Sequence, residues 1–110
     1  MREYDLNSLE AYTTDKFSAV RVFDSAAGKT MLLHMLPGQK VPVHPHPGLD
    51  VILIPRRGVA VLNDDAGNRL QINEGRAYYC GASPIFGLEN ETDEPFQTLV
   101  VLQQLPDASR

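Results

Sequence analysis

An all-β sandwich or barrel is the fold class this sequence predicts, and three observations predict it. Eight prolines and eight glycines punctuate 110 residues, and the short pieces between them are rich in Val, Ile, Leu and aromatic side chains. Only one stretch, "NSLEAY" (7 to 12), reads as a helix candidate; Asn7 or Ser8 could cap a turn or two there. With 43% hydrophobic and 22% charged residues, the composition is that of an ordinary globular chain with one core. The expectation is a single domain over residues 1–110, with its core at about 16–104.

The elements follow in order. "KFSAVRVF" (16 to 23) alternates, placing Phe17, Ala19, Arg21 and Phe23 on one side and Ser18, Val20 and Val22 on the other. "KTMLLHML" (29 to 36) lies between "AAG" and Pro37-Gly38, so it reads as the hairpin partner of the first strand. "VILIPRRGVAVL" (51 to 62) holds two apolar runs separated by Pro55, Arg56, Arg57 and Gly58, where a strand bends or turns. "NDDAGN" (63 to 68) is a tight hairpin turn, because Asn, Asp and Gly tolerate left-handed backbone. "RLQINEG" and "RAYYC" lead to a Gly, Ser and Pro cluster at 81 to 84, and "PFQTLVVLQQLP" (95 to 106) supplies a last long strand.

Charge and length exclude several functions. Ten Lys and Arg against fourteen Asp and Glu give a net charge of -4, with no basic cluster beyond Arg56-Arg57, so nucleic acid is not an expected partner. No apolar run approaches the roughly 20 residues that span a bilayer, and "MREYDLNSLE" lacks the apolar centre of a signal peptide. No membrane partner and a cytoplasmic location are expected. Cys80 is the only cysteine, so the chain forms no internal disulfide and needs no oxidising compartment.

The stretch that carries chemistry is "HPHPGLD" (44 to 50). On an extended strand alternate side chains share a side, so His44 and His46 can point at one spot. Asp50 has the same parity if the strand continues. Two neutral imidazoles and a carboxylate suit Fe, Mn, Ni or Zn. On spacing alone this stretch is equally readable as two solvent-facing histidines on a loop stiffened by Pro42, Pro45 and Pro47.

Over most of its length the sequence resembles the cupin superfamily. The first motif of that family is Gly, five residues, His-x-His, three or four residues, Glu, about six residues and Gly. Here it reads Gly38, five residues, His44, Pro45, His46, three residues, Asp50, seven residues, Gly58. The second is Gly, five residues, Pro-x-Gly, two residues, His, three residues, Asn. Counted from Gly75, this chain has Gly81 at the Pro, Ser83 at the second Gly, Phe86 at the His and Asn90 at the Asn. The resemblance implies a double-stranded β-helix, a jelly-roll barrel of six to eight antiparallel strands. It also implies a small molecule or one divalent metal ion held inside, and a homodimer. Two departures bear on mechanism: Asp50 is one methylene shorter than the Glu it replaces, and Phe86 cannot ligate a metal, so the ion is absent if that change has abolished binding.

Two functions from different classes remain open on these residues. One is a metal-dependent enzyme of the oxygenase or isomerase/lyase type, with metal ligands His44, His46 and Asp50. The other is a binding or sensing protein for a small molecule that does without metal, with Phe86, Ile52, Ile54, Leu88 and Tyr78 as pocket lining. A metal-free enzyme using His44 or His46 as general base is a third, for which no partner residue stands out. His34 reads as a lone strand histidine satisfied by ordinary hydrogen bonds, or as a replacement ligand if it faces the interior, and Cys80 as a soft ligand or redox thiol if it does not simply pack. Tyr78 and Tyr79 fall on opposite faces. Arg56 and Arg57 read as a solvated turn or an anion contact, and Met31 and Met35 as core filler.

Overall fold

The computed structural model describes residues 1–106. A 3-10 turn over Leu6–Leu9 precedes nine strands: β1 (Ser18–Ser25), β2 (Gly28–Met35), β3 (Lys40–Pro45), β4 (Leu49–Arg57), β5 (Val59–Asp64), β6 (Arg69–Asn73), β7 (Tyr78–Ala82), β8 (Ile85–Glu89) and β9 (Phe96–Gln104). All pairings are antiparallel, in a five-stranded sheet of order β1-β2-β9-β4-β7 and a four-stranded sheet of order β3-β8-β5-β6. The all-β jelly-roll expectation holds. Among the described residues no helix is long and apolar enough to cross a membrane.

Nine strands exceed the expected six to eight, for two local reasons. Gly58 alone divides 51–62 into β4 and β5, while Pro55 continues β4 as a buried strand residue. It lies beside a register slip against β9 and beyond Leu53, the last residue of β4 that β7 pairs, so its missing N–H is tolerated there. The second reason is β8, over residues that carry no strand-length apolar run in the sequence. Phe86 and Leu88 turn inward on either side of Gly87.

Between the sheets lies one core of Leu33, Met35, Val51, Leu53, Ala60, Ile72, Phe86, Leu88 and Phe96. Inward positions of β4 are the odd ones, with Val51 and Leu53 fully buried and Ile54 exposed. That parity decides much of the site.

The N-terminal segment packs over the outer side of the five-stranded sheet. Its 3-10 turn is capped by Asp5, whose carboxylate accepts from the Asn7 N–H at 3.0 Å, rather than by Asn7 or Ser8. Arg56 and Arg57 anchor this segment instead of forming a free turn or an anion contact. Arg56 donates to Gln97 Oε1 at 2.8 Å and to Asn7 Oδ1 at 3.3 Å; Arg57 pairs with Glu10 at 3.6 Å and lies over the Tyr12 ring. Beneath it Tyr12 meets the fully buried His34 edge-on, with ring centroids 5.0 Å apart.

Candidate functional site

A cavity of about 130 Å³ opens between the two sheets. The five-stranded sheet contributes Ala19 from β1, Met31 and Leu33 from β2, Leu53 from β4 and Val100 from β9. From the four-stranded sheet come Val41 and His44 on β3 and Phe86 and Leu88 on β8, with Phe17 and His46 at the strand ends. Nine of these eleven side chains carry no nitrogen or oxygen. Phe86 and Leu88, expected as lining, are among them. Phe17, Ala19, Met31, Leu33, Val41, Leu53 and Val100 did not stand out as lining, although Phe17 and Ala19, and Met31 and Leu33, share parity in the sequence.

The two histidines meet at the mouth of this cavity, His46 half-buried and His44 exposed. Their ring centroids lie 4.3 Å apart. Each ring is held through Nδ1 by a backbone carbonyl: His44 against Pro42 O at 2.8 Å, His46 against Pro84 O at 3.1 Å. A carbonyl oxygen only accepts, so Nδ1 carries a proton in both rings, which leaves Nε2 as the nitrogen not held by the backbone. Burial lowers the pKa of His46; the Pro84 carbonyl opposes the shift and the neighbouring His44 adds to it. His46 is therefore neutral near pH 7, an acceptor and not a cation. Phe86 completes the group. It is the register partner of His44 across β3 and β8, and its ring stacks on His46 with centroids 4.5 Å apart and planes 15° from parallel.

No family model and no curated protein matches the chain. Solved structures do. TT1209 from Thermus thermophilus superposes with a TM-score of 0.87 and 30% identity, over 96% of this chain and 100% of that one. A Cupin 2 conserved barrel domain protein from Salinispora arenicola has a TM-score of 0.75 and 25% identity, over 99% of this chain and 91% of that one. The chain belongs to the cupins. An uncharacterized conserved protein with a double-stranded β-helix domain from Klebsiella pneumoniae shares the fold, with a TM-score of 0.87, 18% identity, and 94% and 90% coverage.

Within this cupin, three of the expected site residues lie elsewhere. β3 ends at Pro45, and the chain reverses through Pro47 and Gly48 before β4 begins at Leu49. Gly48 has φ +73°, which an L side chain adopts only with strain. The turn breaks the parity that would have carried Asp50 to the side of the histidines. Asp50, Ile52 and Ile54 all lie on the outer face of β4, opposite inward Val51 and Leu53, so none of the three lines the histidine cavity. Asp50 neighbours Tyr79 there, and its carboxylate raises the pKa of the Tyr79 hydroxyl.

Other candidates resolve as follows. Tyr78 faces inward as the register partner of Leu53, but its hydroxyl accepts from the Asn73 N–H at 3.0 Å. It lines a separate groove of about 530 Å³ that shares only Phe86 with the histidine cavity. Cys80 lies in the same groove, away from the histidines, and burial pushes its thiol up to about 11, so it is a thiol and not a thiolate near neutral pH. His34 alternates with Leu33 and Met35 and therefore faces away from the cavity. Its Nε2 accepts from Gln97 at 3.1 Å, and burial lowers its pKa.

The donor set fits a resident metal poorly. Two imidazole nitrogens reach the cavity, the third-histidine position is an aromatic wall, and among the described residues no group of three His, Cys, Asp or Glu side chains could hold an ion. Asn90, by contrast, keeps a structural part of the second motif. Its buried amide donates to Met35 O (3.1 Å) and Glu94 O (2.8 Å), and its oxygen accepts from Thr92 N–H (3.1 Å) and Oγ1 (2.8 Å).

Proposed function

We propose that this cupin binds a small uncharged molecule in the cavity between its sheets, with His44 and His46 as the polar anchors and without a resident metal. The observation that carries this reading is the Phe86 ring, stacked on His46 and opposite His44, filling the place where a third nitrogen would complete a metal centre. A mostly apolar hollow with a small number of fixed polar groups is the usual design of a small-molecule site. The test is thermal stabilisation across a metabolite panel with chelator present. Stabilisation that appears only when metal is restored would reverse the assignment.

A second reading, a divalent-metal enzyme of the oxygenase or isomerase/lyase type, has one observation in its favour. Both Nδ1 atoms are tied to carbonyls and both Nε2 atoms are free, the arrangement that ligating histidines adopt. Two nitrogens are too few to hold Fe, Mn, Ni or Zn alone, so solvent or a bound molecule would have to supply the rest. Metal content of wild type against His44→Ala and His46→Ala separates the two readings.

A further inference from the structure

We infer that the ligand of the histidine cavity is a neutral single-ring phenol, its hydroxyl donated to an imidazole Nε2 and its ring packed against Phe86 and Phe17. This rests on the metal-free binding reading above and narrows it by size, charge and hydrogen-bond polarity.

Size comes first. A cavity of about 130 Å³ compares with the roughly 150 Å³ apolar cavities that take up benzene. One six-membered ring is about what the space between the walls holds. The walls suit a ring: two are phenyl groups, and Met31 offers a thioether, which packs well on aromatic edges.

Charge comes next. No Lys, Arg, Asp or Glu lines the cavity, so a buried carboxylate or ammonium on the ligand would have no fixed partner there. Hydrogen-bond polarity then selects within the neutral compounds. With Nδ1–H of each ring already spent on Pro42 O and Pro84 O, Nε2 is the nitrogen each ring has left, and on neutral His46 it is an acceptor. A ligand carbonyl or ether would set lone pair against lone pair, while a hydroxyl donates. A phenolic O–H is also a stronger donor than an alkyl one. With acceptors on rings 4.3 Å apart, a second hydroxyl beside the first adds a further bond, which makes catechol the tighter member of the class.

The experiment is an NMR titration of the wild-type protein with phenol, catechol, anisole, toluene and benzoate, in the presence of chelator. The chain has 3 histidines, so their ring resonances are assignable by single substitutions. Phenol and catechol are expected to shift the His44 and His46 signals and leave His34 unmoved, binding about tenfold more tightly than toluene or anisole, the worth of one well-made hydrogen bond. His46→Leu should erase the advantage of phenol over toluene while toluene still binds. Since that substitution also frees the Pro84 carbonyl, the wild-type ligand series stands as the test if the variant does not fold. Equal binding of phenol and toluene, or preferred binding of benzoate, overturns the phenol assignment and leaves the binding reading intact. Failure of all five compounds, with no response at either histidine, overturns both.

Discussion

Replacing Asn90 by Ala tests whether the second motif survives here as architecture after its ligand has gone. The side chain, 1% exposed, makes four hydrogen bonds: two donated to Met35 O and Glu94 O, two accepted from the Thr92 N–H and hydroxyl. The Asn90 backbone also bonds both ways to the loop before β3, accepting from Gly38 N–H and donating to Gln39 O. Each side-chain bond contributes about 1 kcal/mol, with extra cost where a buried partner is stranded. The Glu94 carbonyl and the Thr92 groups lie near the surface and regain water, whereas the Met35 carbonyl does not. The sum is about 3 kcal/mol for Asn90→Ala, or a Tm lower by about 10 °C for a domain this size. Urea unfolding at pH 7.5 gives the value directly. Asn90→Asp should also destabilise, because it keeps the acceptor oxygen but loses both donated bonds and buries a charge. A loss below about 1 kcal/mol for the alanine variant would refute the argument that this side chain locks the loops flanking β8.

Three further outcomes follow from the same structure. Gly87→Ala places a methyl group against the Val41 carbonyl oxygen and 2.6 Å from the Val43 nitrogen, so it should destabilise by about 2 kcal/mol and disturb the β3–β8 pairing that sets His44 opposite Phe86, read by calorimetry and by the His44 ring signal. Stability should fall on acidification, because folded His34 and His46 have lowered pKa values: both states bind no proton well above the unfolded value of about 6.5, the unfolded state takes one up first as pH drops through it, and the loss levels off once pH passes below the folded values. Unfolding free energies measured from pH 8 to pH 4.5 check this; a flat profile contradicts it. Phe86→His adds a third imidazole at the register position opposite His44, and Ni or Zn uptake should rise toward about one ion per chain, then vanish in the double variant with His44→Ala, as measured by metal analysis.

The fold was legible in the sequence because its evidence is local and repeated. Pro and Gly spacing, the "NDDAGN" turn and the period-two runs each mark a strand boundary without knowledge of the others. The histidine pair was legible for the same reason, since His-x-His on one strand needs no tertiary information. Phe86 came from motif counting, and the structure brings it into contact with the histidines. Asp50, Ile52 and Ile54 went wrong together because one assumption carried all three. Their parity was read through Pro47-Gly48 as if the strand ran on, and the reversal at Gly48 flipped it. His34 was legible as an ordinary hydrogen-bonded strand histidine, but its partners and those of the arginines were not, because the N-terminal segment folding over the sheet and Gln97 on β9 are long-range neighbours that no spacing encodes. The rest of the cavity lining is drawn from strands far apart in sequence, so each Val or Leu looks like any other core residue until the sheets are stacked.

The central claim is that two histidines and an aromatic wall hold an uncharged ligand without a resident ion. Metal analysis of protein made in medium replete with Fe, Mn, Ni and Zn tests it most directly. Metal well below one ion per chain, unchanged in His46→Ala, is the expected result. A tightly held ion at one per chain, lost in His46→Ala, would contradict it.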